Sequence, residues 1–72
     1  STKAKLVEKL DKIKDPDVRL DILLAIDALS PQGDAAAADK LEKLVAEAEK
    51  AGNKSGVDEM YRIALKLRAR TP

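Results

Sequence analysis

The stretch 18–29, VRLDILLAIDAL, constrains this chain more than any other, because as a helix it is apolar on almost every side. At about 100° per residue it gathers Val18, Ile22, Ala25, Ile26 and Leu29 on one face, with Leu23 widening that face. Leu20 and Leu24 stand nearly opposite. A helix at a protein surface needs a single apolar stripe. One with two must be enclosed by neighbours or must keep its second face for a partner. In a chain of 72 residues the enclosure has to come from a few short helices, and a core of this size only just offsets the entropy of ordering the chain.

The remaining segments supply such helices. Over residues 2–14, Leu6, Val7, Leu10 and Ile13 form one stripe opposite Glu8, Lys9, Asp11 and Lys12, and Asp15-Pro16 ends the helix. A residue before proline avoids the α region, Asp is a good N-cap, and Pro fits the first position of the next helix. Helix two, residues 16–29, is then stopped by Ser30-Pro31-Gln32-Gly33, with Asp34 the preferred N-cap of helix three. That helix, 34–51, has the cleanest pattern: Ala37, Ala38, Leu41, Leu44, Val45, Ala48 and Ala51 oppose Asp39, Glu42, Lys43, Glu49 and Lys50. Its run of alanines from Ala35 to Ala38 predicts a close crossing, most naturally against helix two. Gly52-Asn53 reads as a left-handed C-terminal cap, and Ser55-Gly56-Val57-Asp58 as the N-cap of helix four, residues 56–70. There Val57, Met60, Tyr61, Ala64, Leu65 and Leu67 are expected inside, with Ile63 at the margin.

Composition removes whole classes of chemistry. The chain has no Cys and no His, so no disulfide framework, zinc site of the Cys/His type, histidine base or cysteine nucleophile is available. Its net charge is +1, but residues 1–14 sum to +3 and residues 15–39, with six Asp against Arg19 alone, to −5. Basic terminal helices packed beside an acidic central one account for this; a basic partner is the functional alternative. Residues 52–56, GNKSG, lack the spacing of a phosphate loop and are explained by caps. Asp15, Asp17 and Asp21 lack the glycine and glutamate of a calcium loop and read as a cap and a solvated face. No aromatic residue is placed to stack on bases among the lysines and arginines.

Two resemblances rest on these residues. The segment 41–67 resembles the helix-turn-helix of a tetratricopeptide repeat at Leu41, Leu44, Gly52, Asn53, Tyr61, Ala64 and Leu67, and departs from it at Val45, Lys54 and Val57. The resemblance implies an αα-hairpin; peptide binding in such arrays needs several repeats. The whole chain, with clean amphipathic helices, caps at nearly every start and no Cys, His, Phe or Trp, resembles a de novo designed helical mini-protein.

The expectation is a single all-α domain over residues 1–72, a compact bundle of four short helices with helix two central. Its first functional reading is a minimal or designed stable fold without enzymatic or other biochemical activity, needing no cofactor or metal. The alternative is an interaction module in which Leu20 and Leu24, rimmed by Asp17, Asp21 and Asp27, meet a helical peptide or a second copy of the chain. Burial of Leu20 and Leu24 beneath helix one or four is the expected outcome, and exposure points to the alternative. Nucleic-acid and membrane partners are not expected, and the composition is that of a soluble chain, cytoplasmic if made in a cell.

Overall fold

Local chemistry sets the helix ends in the computed structural model, which describes all residues from Ser1 to Pro72. The elements are α1 (Thr2–Lys12), α2 (Pro16–Ala28), α3 (Ala35–Lys50) and α4 (Val57–Arg70). Asp15 Oδ1 accepts the backbone N–H groups of Asp17 (2.9 Å) and Val18 (3.4 Å), with Pro16 at the start of α2. Asp34 Oδ1 accepts Ala37 N–H at 3.0 Å, as its expected N-cap role requires. After α3, Asn53 N–H reaches Ala48 O (2.8 Å) and Gly52 N–H reaches Glu49 O (3.1 Å), with Gly52 at φ +74°. This is the paired closure of a Schellman cap.

Two ends differ from expectation. α1 stops at Lys12, because Ile13 is already extended (φ −90°, ψ 130°) and the chain needs residues 13–15 to reverse before the proline. Ser55 does not cap α4; its N–H is held by Asn53 Oδ1 (3.2 Å), and the N-cap is Gly56 at φ +74°, a conformation that side chains disfavour. Gly56, expected as the first helical residue, is therefore the cap itself.

The helices touch in a closed ring, α1 with α2, α2 with α4, α4 with α3 and α3 with α1, with the heaviest packing between α3 and α4. Lys3 of α1 pairs with Asp34 at the start of α3 (2.8 Å), and Asp27 near the end of α2 pairs with Arg70 near the end of α4 (2.7 Å). Hence α1 lies beside α3 and α2 beside α4 with like ends together. α2 and α3 lie on a diagonal. The alanine-rich start of α3 consequently faces α1, where Ala36 and Ala37 line a shallow pocket with Lys3, Ala4 and Val7, and does not cross helix two as expected.

One continuous core joins all four helices: Val7 and Leu10 from α1; Ile22, Leu23 and Ile26 from α2; Ala37, Ala38, Leu41 and Val45 from α3; Val57, Met60, Ile63, Ala64 and Leu67 from α4. The diagonal link from α2 to α3 closes one end of it. Ser30 is 1% exposed, and its Oγ donates to Ile26 O at 2.7 Å. At Gly33 (φ +80°) a Cβ would lie 2.5 Å from Leu67 O and 2.6 Å from Thr71 N, so only glycine permits this approach to the end of α4.

Candidate functional site

The outer face of α2 is set by how the helix is held. Ile22, Leu23 and Ile26 are buried, so the inward face is turned toward Leu23 and away from Val18 and Leu29, which are exposed against expectation. Arg19 fixes this rotation. Its guanidinium donates to Leu10 O and to Ile13 O (2.8 Å), the open carbonyls at the end of α1, and an Nη2 hydrogen points to Met60 Sδ (3.3 Å). A cation placed at a helix C-terminus satisfies both the unpaired carbonyls and the dipole. Arg70 of α4 adds a second donor just past the end of α2, with Nη1 donating to Asp27 O (3.3 Å) and Ser30 O (3.2 Å), which already accept the Ser30 and Gly33 N–H groups.

With α2 held so, Leu20 is 42% exposed and Leu24 53%, and neither belongs to the core. The expected burial beneath α1 or α4 does not occur. The reason is geometric: α1 and α4 sit on the Arg19, Leu23 and Asp27 sides of α2, and α3 is diagonal to it. Of the five candidate interface residues, Asp17, Leu20, Asp21 and Leu24 share an exposed strip. Asp27 does not belong with them. Its carboxylate is ion-paired to Arg70 and more loosely to Lys66 (3.9 Å), which makes it a latch between α2 and α4. The contact of Asp27 Oδ1 with Arg70 is ionic without being a directed hydrogen bond, since the Nη1 hydrogens are aimed at the two carbonyls.

α4 adds to the apolar exposure. Tyr61 (51%) and Leu65 (48%) face solvent, whereas Ile63 is buried. Periodicity places both Tyr61 and Leu65 inside; the side-by-side approach of α2 draws the Ile63, Lys66 and Arg70 side of α4 inward and leaves them uncovered. Between the starts of α2 and α4 lies a shallow groove lined by Pro16, Asp17, Arg19, Leu20 and Leu23 on one side and Ser55, Gly56 and Glu59 on the other. Among the charged residues here, Asp17, Asp21, Asp58, Glu59 and Arg62 form no ion pair.

Some of the charge elsewhere joins one helix to another. Arg68 bridges α4 to α3 through Glu42 (2.7 and 2.9 Å) and Asp39, which holds the Glu42 carboxyl below its ordinary range and raises the guanidinium further above its own. Lys3, and then the Ala37 N–H, hold the Asp34 carboxyl below its usual value. Basic terminal helices do lie beside the acidic segment, through Lys3–Asp34, Lys66–Asp27 and Arg70–Asp27. Sequence reasoning does not single out Arg19 or Arg70 as latches; the available signal for Arg19 is its position as the sole arginine or lysine before Lys40 in the acidic stretch 15–39.

No helix is long and apolar enough to cross a membrane. Comparison with known proteins finds no matching family model, no similar curated protein and no similar solved structure.

Proposed function

We propose that this protein is a helical interaction module that presents the outer face of α2 to a protein partner. The observation that carries this reading is the exposure of Leu20 and Leu24, one helical turn apart on one strip, in a chain whose core is complete without them. A chain with so few large apolar side chains has little reason to leave several in water for folding alone. The competing reading, a designed or minimal fold with no partner, draws support from the saturation of helix ends by Asp15, Asp34, Arg19 and Arg70.

Chemical-shift mapping on isotopically labelled protein separates the two. Titration with amphipathic helical peptides is expected to move amide signals on the outer side of α2 and the adjoining turn of α4. The double variant Leu20→Glu, Leu24→Glu is expected to keep its helical circular dichroism and lose those shifts, because both side chains already lie in water. Shifts confined to α1 and α3, or none at saturating peptide, reject the module. Unfolding of the double variant rejects the exposed placement of the two leucines.

A further inference from the structure

We infer that the partner received by the outer face of α2 is a cationic amphipathic helix from another protein, and not a second copy of this chain; this rests on the interaction-module reading above. The first ground is the charge around the strip. Asp15, Asp17, Asp21, Asp58 and Glu59 gather at the N-terminal ends of α2 and α4, which run side by side, and none forms an ion pair. Part of that charge complements the two helix dipoles, but each N-terminus presents only about half a positive charge. Lys14, Lys54 and Arg62 stand unpaired around these carboxylates and Arg19 is committed to the carbonyls of α1, but on the strip that carries Leu20 and Leu24 the only charges are Asp17 and Asp21.

The second ground is the groove with the strip beside it. Leu20 and Leu23 line the groove together with Asp17, Glu59 and Ser55, and the Arg19 side chain runs past Gly56 at one end on its way to the carbonyls of α1. On the exposed strip beside it, a partner's lysine or arginine lays its methylene stem along Leu20 and turns its charge to Asp17 and Asp21, away from Arg19. Apolar side chains one and two turns along the same partner helix then meet Leu24 and the exposed Ala28.

The third ground excludes self-pairing. A two-fold dimer is isologous, so α2 meets α2 of its mate. Asp21 lies between Leu20 and Leu24 along the strip, and both parallel and antiparallel arrangements centred on these leucines bring it close to its own copy. No cation on the outer side of α2 is available to relieve this, and like charges set against each other oppose association.

The test uses the full chain with three fluorescent helical peptides sharing one leucine stripe, flanked by Lys, by Gln or by Glu, alongside sedimentation of the protein alone. The Lys peptide is expected to bind about tenfold or more tighter than the Gln peptide, to lose that advantage as salt rises, and to be weakened similarly by Asp17→Asn with Asp21→Asn. The Glu peptide should bind weakest, and the protein alone should sediment as a monomer. Equal binding of the Lys and Gln peptides, abolished by Leu24→Glu, keeps the α2 face as a docking site and overturns its preference for cations. A dimer that Leu24→Glu converts to monomer also keeps the face and assigns it to a second copy, which overturns this inference. Failure of every peptide to bind a monomeric protein rejects both the inference and the module.

Discussion

α3 and α2 meet water in opposite ways. On α3, of the residues that periodicity places inside, Ala37, Ala38, Leu41 and Val45 are buried, Leu44 and Ala48 are half-covered at the margin and only Ala51, at the C-cap, is exposed, while Asp39 and Glu42 reach across to Arg68. On α2 only Ile22, Leu23 and Ile26 are buried, and Val18, Leu20, Leu24 and Leu29 remain in water. A helix with one apolar stripe can be docked in one orientation. A helix apolar all round can be docked in several with similar burial, so its orientation is settled by something else. In α2 that is a pair of arginines, Arg19 reaching back to the end of α1 and Arg70 reaching in from α4. Polar latches, and not apolar area, select the rotation of the oiliest helix in this bundle.

The most direct way to break the comparison is to truncate α2 on its inner side. Ile26 is fully buried, and Ile26→Ala is expected to cost about 2–5 kcal/mol, a large share of the stability a domain of this size possesses. Denaturant melts check it. A loss below about 1 kcal/mol would mean that α2 packs through a different face.

Next in size is the diagonal link that carries the chain from α2 to α3. Gly33→Ala must place a side chain in a left-handed conformation, about 1–2 kcal/mol, and must also displace Leu67 O and Thr71. Gly52→Ala meets the first cost alone, because nothing lies near its missing Cβ. Thermal melts should therefore rank Gly33→Ala clearly below Gly52→Ala. Equal losses would show that the link does not close on the end of α4.

The third effect belongs to α3. Asp34→Ala removes an N-cap and the partner of Lys3 and is expected to cost about 1 kcal/mol at neutral pH. Since the folded carboxyl titrates below its ordinary value of 3.8, its contribution is complete above that value and fades as pH falls through the lower folded one. The gap between melts of the two proteins should narrow as pH falls below 3.8, and a gap that acid leaves unchanged would assign the loss to something other than the ionised carboxylate.

Much of this architecture was legible in the residues because it obeys local rules. Four helices and their borders to within two residues come from Asp15-Pro16, Asp34, the Gly52-Asn53 closure and the spacing of apolar residues. What could not be read depends on where helices sit relative to one another. Ile63 and Leu65 both lie near the edge of the apolar face of an isolated α4, and only the approach of α2 on the Lys66 side buries one and exposes the other. Likewise Asp27 looks like a rim residue on the wheel of α2 and becomes a latch once Arg70 is opposite it. The strip of Asp17, Leu20, Asp21 and Leu24 was recognisable as a candidate surface, but its exposure was not, because coverage by α1 or α4 depends on how the helices close into a ring.

The smallest expected effect tests the outer side of α2 against the inner one most sensitively. Leu24 is half-exposed and outside the core, so Leu24→Ala removes contacts made largely with water. Alanine also favours the helix slightly more than leucine, which offsets part of the lost burial. The net change in a dilute monomer should lie within about 0.5 kcal/mol, against the several expected for Ile26→Ala on the other side of the helix. Concentration sharpens the comparison. If Leu24 is covered by a second copy, the wild type gains stability as protein is added while the alanine variant gains less, since association stabilises only the folded state that takes part in it. Melts at two protein concentrations roughly a hundredfold apart should show the same small difference for a monomer. A loss approaching about 2 kcal/mol that grows with concentration would place Leu24 in a self-interface, and the same loss without concentration dependence would place it in the core.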